Sequence, residues 1–188
     1  IAWSLAQVRS GGFDVVHVQQ APALALRRFV DVPFVYTLHH PREETLSRLY
    51  RRYPRVHYVA ISHRQCEREE PLPRMQVVHH GVDPDDYPFV AEPEGYVGFI
   101  GRFAPVKGPH RAIDAALRAG VPIHVAGLPH AGEGEQFHAA EMVQRLTRPG
   151  VTWVGEVGGT TKRAHLGGAV ATLFPISWEE PFGLVMIE

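Results

Sequence analysis

The 188 residues contain one cysteine, Cys66, only two lysines, Lys107 and Lys162, and no apolar run near the ~20 residues that a membrane-crossing helix requires. Each scarcity excludes something. A single thiol rules out a disulfide framework within the chain and fits a reducing compartment. The N-terminus lacks the basic-then-apolar layout of a signal peptide, so a soluble cytoplasmic protein is the default expectation. A formal net charge of −1 lacks the basic excess of a nucleic-acid binder. There is no G-x-G-x-x-G and no Gly-Lys-Ser/Thr, which disfavours a dinucleotide oxidoreductase and a P-loop enzyme. A starting methionine is also missing, and an internal fragment of a longer protein is expected.

What is present is an ordinary globular composition, 45% hydrophobic and 21% charged, enough for one or two small domains with a real core. The apolar pattern alternates. Strands are expected at 14–18, 32–38, 56–61 and 75–79, with helices at 22–29, 43–53 and 64–70 between them. The theme repeats with strands at 96–100, 122–126, 151–154 and 169–174 and helices at 109–119, 136–146 and 160–166. Such alternation predicts βαβ units, an α/β fold of two Rossmann-like halves with parallel sheets, residues 1–90 and 91–188. The boundary is placed between Asp83 and Gly95, where prolines, glycine and acids cluster and the apolar period lapses.

Two stretches carry chemistry. The last one, Glu180-Pro181-Phe182-Gly183-Leu184-Val185-Met186-Ile187-Glu188, follows a short apolar strand and reads as a loop and then a helix beginning near Phe182 or Gly183. Free N–H groups of a first helical turn at a strand's carboxyl end suit a phosphate. The other, Gly101-Arg102-Phe103-Ala104-Pro105-Val106-Lys107-Gly108, also joins a strand to a helix. Lysine is passed over almost everywhere in favour of seventeen arginines, which makes Lys107 informative. An ammonium suits one phosphate oxygen and the guanidinium of Arg102 forks across two, so two cations in one turn await an anion.

Gly-Arg-Phe-x-Pro-x-Lys-Gly at 101–108, Val-Gly-Glu-Val at 154–157, Leu-Phe-Pro at 173–175 and Glu-x7-Glu at 180–188, in this order, resemble the retaining nucleotide-sugar glycosyltransferases of family 4, also called group 1, with the two-domain GT-B architecture. The resemblance implies that residues 1–90 belong to the acceptor-side domain and 91–188 to the nucleotide-sugar domain. It implies a nucleoside-diphosphate sugar donor, a hydroxyl acceptor of unknown identity and no cofactor. Arg102 and Lys107 would hold the donor diphosphate, Glu180 the donor sugar and Glu188 the ribose. Gly101, Phe182, Gly183 and Leu184 would complete the substrate-binding set. Thr-Leu-His at 37–39 is similar to the family's Thr-x-His, whose histidine lies near the transferred sugar, so His39 joins Arg102, Lys107 and Glu180 as catalytic. A nucleotide-sugar epimerase, a glycogen-synthase-like enzyme or a nucleotide-binding module without turnover stays open beside this reading.

Other candidates are weaker. Asp83-Pro84-Asp85 looks like a metal–nucleotide signature, but aspartates at a proline turn bind nearby backbone N–H groups, and no metal site is expected there. Adjacent histidines on a strand face opposite sides, so His39-His40 and His79-His80 do not make a zinc pair. His80 stands where the family usually has asparagine. His17 is as well explained as a satisfied strand-end residue as by a site. Arg48, Arg51, Arg52 and Arg55 make a solvated basic face, four times better explained so than as a peripheral membrane contact.

Overall fold

The computed structural model describes residues 2–188, which form two compact units. One runs to His80 and includes Glu179–Gly183; the other comprises Gly81–Trp178 and Leu184–Glu188. Each holds one all-parallel sheet of four strands, the α/β class expected. No helix among the described residues is long and apolar enough to cross a membrane.

In the first unit, helix α1 (Ala2–Arg9) precedes strands β1 (Val16–Val18), β2 (Phe34–Leu38), β3 (His57–Ala60) and β4 (Met75–Val77), paired in that order. Helices α2 (Glu44–Arg51) and α3 (His63–Arg68) cross between them, and a 3-10 helix spans Ala21–Arg28. The β2 run is buried at four of five positions, as a strand covered on both faces must be. Helix α1 lies on a segment whose apolar residues show no helical period, and it was not expected. Helix α3 starts where Ser62 caps it, its Oγ accepting from the Gln65 N–H at 3.0 Å.

The core of this unit carries three fully buried tyrosines, Tyr36, Tyr50 and Tyr58. Their hydroxyls are not orphaned. Tyr58 donates to the Tyr50 carbonyl at 2.9 Å, Tyr36 and Tyr50 hydroxyls lie 3.3 Å apart, and the Tyr50 hydroxyl meets His40 Nε2 at 2.8 Å. His40 Nδ1 lies 2.8 Å from the Pro41 carbonyl, which only accepts, so Nδ1 carries the proton and Nε2 accepts from Tyr50. Burial raises the Tyr50 and Tyr58 pKa values far above the ordinary phenol range. Tyr50→Phe leaves His40 Nε2 and the Tyr36 hydroxyl short of a partner. Its expected cost is about 1–3 kcal/mol, read as a lower Tm or urea midpoint; an unchanged midpoint would refute the chain of bonds.

The second unit has strands β5 (Tyr96–Ile100), β6 (Ile123–Ala126), β7 (Val151–Gly155) and β8 (Ala169–Thr172) in spatial order β7-β6-β5-β8. Helix α4 (Pro109–Arg118) buries Ala112, Ile113 and Ala116, the apolar face foreseen from spacing. The helix expected at 136–146 is longer: α5 (Glu133–Phe137), a π-helical turn at His138–Met142 and α6 (Val143–Leu146) follow without a break. The wider turn lets both Phe137 and Met142, five residues apart, reach the core. Helix α7 (Gly159–Gly167) leads into β8.

One expectation is corrected. No α-helix begins at Phe182 or Gly183: Gly183 has φ +86°, a left-handed conformation, and the only helical turn after it is a 3-10 turn at Leu184–Met186. Helical geometry can start only beyond that glycine, and a three-residue turn carries little macrodipole.

Candidate active site

Strand order decides where the second unit offers a crevice. From β5 the chain moves outward to β6 and β7, then returns to the other side of β5 as β8. The loops leaving β5 and β8 therefore diverge at a topological switch point, where open α/β sheets bind ligands. Those loops are Gly101–Gly108 and the segment from Leu173 onward, the two stretches singled out by sequence.

The first loop is shaped by glycine and by one buried aromatic ring. Phe103 is fully buried and its N–H donates to the Leu128 carbonyl at 3.0 Å, which pins the loop's middle. Gly101 is met by Gly127, whose φ of +144° and closeness to the Gly101 carbonyl leave no room for a side chain. Gly108, at φ +74°, lies under the Pro175 carbonyl; a Cβ there would stand 2.3 Å from that oxygen. The Ser177 N–H donates to the Val106 carbonyl at 2.9 Å, joining the two loops. Between these anchors Arg102 is exposed, and the Lys107 ammonium stands 4.9 Å from the Trp178 ring centroid. An aromatic face holds a cation without neutralising it.

Glu188 is placed differently from a solvent-facing helix residue. Its side chain is 8% exposed and pairs with Lys162 of α7. The Glu188 N–H bonds the Leu184 carbonyl at 3.2 Å. Asp83 and Asp85 behave as the proline turn suggests, the Asp83 carboxylate accepting from the Asp85 N–H at 3.0 Å.

In the first unit, His39 follows β2, at the carboxyl edge of its sheet. Gln65 clamps the backbone around it: its Nε2 donates to the carbonyls of Leu38 at 3.2 Å and His40 at 2.9 Å, while its Oε1 accepts from the Ile61 N–H. The imidazole stacks on His80, centroids 5.5 Å apart and planes 8° from parallel, and His80 in turn meets the Phe182 ring edge-on. Partial burial, then the neighbouring His80, His17 and His40, hold the His39 imidazole below its ordinary pKa. Glu180 and Pro181 line a small cavity of about 230 Å³ with Arg42, Arg64 and Arg68, where Arg64 grips Glu179 with two bonds of 3.2 Å. The basic face of α2 is balanced from outside the helix as well as within: Arg48 pairs with Glu44, and Arg51 with Glu70 at 2.6 Å.

Sequence reasoning brought out Arg102, Lys107 and His39 and passed over Gln65, Trp178, Lys162 and the stacking role of His80. Ser62 caps the helix that carries Gln65, a serine three residues before the glutamine that the sequence reading did not use. The other three become visible once side chains from separate loops and helices meet.

Against known families, residues 88–188 match the glycosyl transferases group 1 model, and residues 1–86 match the glycosyltransferase family 4 model. The chain belongs to the group 1 glycosyltransferases. This group 1 chain is 31% identical to the glycogen synthase of Mycobacterium tuberculosis, over 96% of its own length and 50% of the relative's. It thus spans about half the length of the curated relatives it matches. Anabaena HepE in complex with UDP and glucose superposes with a TM-score of 0.79 at 21% identity, covering 98% of this chain and 58% of HepE. Sucrose-phosphate synthase from Thermosynechococcus elongatus gives 0.78 at 17% identity, covering 96% of this chain and 54% of that one. These similarities establish the GT-B fold class for the group 1 chain.

Proposed function

We propose that the chain is part of a retaining, metal-independent glycosyltransferase that moves a sugar from a nucleoside-diphosphate sugar to a hydroxyl acceptor, residues 1–90 serving the acceptor side and 91–188 the donor. What supports this reading is the pair of loops leaving β5 and β8, joined by the Ser177–Val106 bond, the first of which carries both Arg102 and Lys107. A departing nucleoside diphosphate gains negative charge, and fixed cations offset it without reorganisation. Gly101 and Gly108 let the loop approach the diphosphate closely. Leu184 and its neighbours offer N–H groups from the 3-10 turn, and Phe182 and Gly183 shape the approach. Glu180 takes the donor sugar and Glu188 the ribose, with His39 beside the transferred sugar. HepE's UDP and glucose make a glucosyl nucleotide the first donor to test.

The test is a donor panel of UDP, GDP, ADP and TDP sugars with the full-length protein, run in excess EDTA. Transfer, or slow donor hydrolysis, supports the enzyme. Nucleotide binding with neither points to a module without turnover, and activity that needs Mg²⁺ refutes metal independence. A second reading, a glycogen-synthase-like enzyme, is favoured by the 31% identity to that relative and predicts that a glucan is the better acceptor.

The two glutamates are expected to fail differently. Glu180→Gln lowers turnover with little effect on free nucleotide binding, because its contact is to the reacting sugar. Glu188→Gln weakens binding of the free diphosphate and releases Lys162 from its partner. Kinetic constants and nucleotide titrations separate the two, and full turnover in Glu180→Gln would remove its assignment to the sugar.

A further inference from the structure

The backbone on either side of His39 is held by Gln65 and one face of its ring by His80, and a third contact reaches the ring's Nε2. Gln19, just beyond β1, places its Oε1 2.5 Å from His39 Nε2. The other end of the same amide faces His17, with Nε2 3.0 Å from the ring's Nε2 and 3.4 Å from its Nδ1. An amide nitrogen nearly equidistant from both ring nitrogens lies over the face of the imidazole, since either lone pair approached in the plane would leave the opposite nitrogen much farther away. The Thr37 hydroxyl lies 2.8 Å from His17 Nε2.

That arrangement decides which way the Gln19 amide points. The face of a neutral aromatic ring is negative, so an N–H above it is attracted and a carbonyl oxygen is repelled. The amide nitrogen therefore belongs over His17, and the carbonyl oxygen faces His39. A carbonyl oxygen has no hydrogen to give, so His39 must donate through an Nε2–H. In the neutral ring, Nδ1 is then the acceptor.

We propose that Gln19 is a positioning residue that holds His39 in its Nε2–H tautomer, so that the ring offers Nδ1 as an acceptor to a sugar hydroxyl. The hydroxyl rests on the transferase reading above; the tautomer does not. A hydroxyl that donates to Nδ1 is distinguished from a methoxy or deoxy substituent at the same place, which gives the positioning a consequence for donor or acceptor choice. His80, His17 and His40 are the other titratable groups facing the ring, and each of them disfavours a charged His39.

The experiment is a two-bond proton–nitrogen correlation spectrum of ¹⁵N-histidine-labelled full-length protein, with the His39 signals assigned among the twelve histidines by their loss in His39→Asn. Wild type is expected to show His39 protonated at Nε2. Gln19→Leu is expected to lose that preference and to lower kcat about tenfold with little change in nucleotide binding or Tm, the loss of one hydrogen-bonded orientation. Gln19→Glu keeps the accepting oxygen and should retain the Nε2–H signal while favouring the imidazolium. An Nδ1–H His39 in wild type, or a spectrum and kcat unchanged in Gln19→Leu, overturns the proposal. If no donor is turned over while the spectra follow this pattern, the positioning stands and the transferase reading falls.

Discussion

Lys107→Met in the full-length protein is expected to lower kcat on the order of 10²-fold or more while leaving the fold intact, and Arg102→Met a comparable amount, because under the proposed function each removes a preorganised charge from the leaving diphosphate. Methionine keeps the length and apolar stem of lysine, so packing against Trp178 is largely retained and the loss reports charge. Lys107→Arg is the informative control. It keeps the charge, but the planar guanidinium does not occupy the volume of an ammonium, and partial activity is expected. Activity that vanishes in EDTA, returns with Mg²⁺ or Mn²⁺ and is indifferent to Lys107→Met would overturn the assignment and restore interest in Asp83 and Asp85.

Gly127→Ala is expected to be among the most damaging changes that add a single methyl. The added Cβ would stand 1.9 Å from the Gly101 carbonyl oxygen, at a φ of +144° that side chains rarely adopt. Backbone must move on one side or the other. The combined strain and overpacking costs about 2–5 kcal/mol. Because the clash falls on the residue that opens the Arg102 loop, nucleotide affinity should drop even in preparations that remain folded. Denaturant midpoints and nucleotide titrations check both effects; a normal midpoint would mean that the chain relaxes there without strain. Gly120→Ala is the comparison, since its φ of +69° is also left-handed but no atom lies within 4 Å of the added Cβ.

The parts of the fold that a sequence shows well are those whose information is local. Strand β5 was expected at 96–100 and runs Tyr96–Ile100, because its apolar run ends at glycines on both sides. Helix α4 was expected at 109–119 and ends one residue earlier. Strand β1 was expected to start at Asp14 and starts at Val16, since an edge strand pairs only as far as its single neighbour extends. The helix at Gly183 failed because a glycine reads equally as a flexible first turn and as a left-handed stop. In the site, Lys107 stood out through its rarity and His39 through its place after a strand. Gln19, Gln65 and Trp178 carry no such marker. Glutamine is common at surfaces, and what makes Gln65 structural is three backbone groups supplied by β2, β3 and their loops, a coincidence of tertiary placement that no spacing rule contains.

The ammonium of Lys107 over the ring of Trp178 turns the loop into its own optical reporter. An indole's emission responds to a charge held against its face, so an anion that draws Lys107 away should change Trp178 fluorescence at the moment of arrival. Only two other tryptophans contribute background, Trp3 and Trp153, and each can be replaced without touching the loop. Stopped-flow mixing with a nucleoside diphosphate would then time the occupation of the crevice directly, without added label and separately from any chemistry that follows.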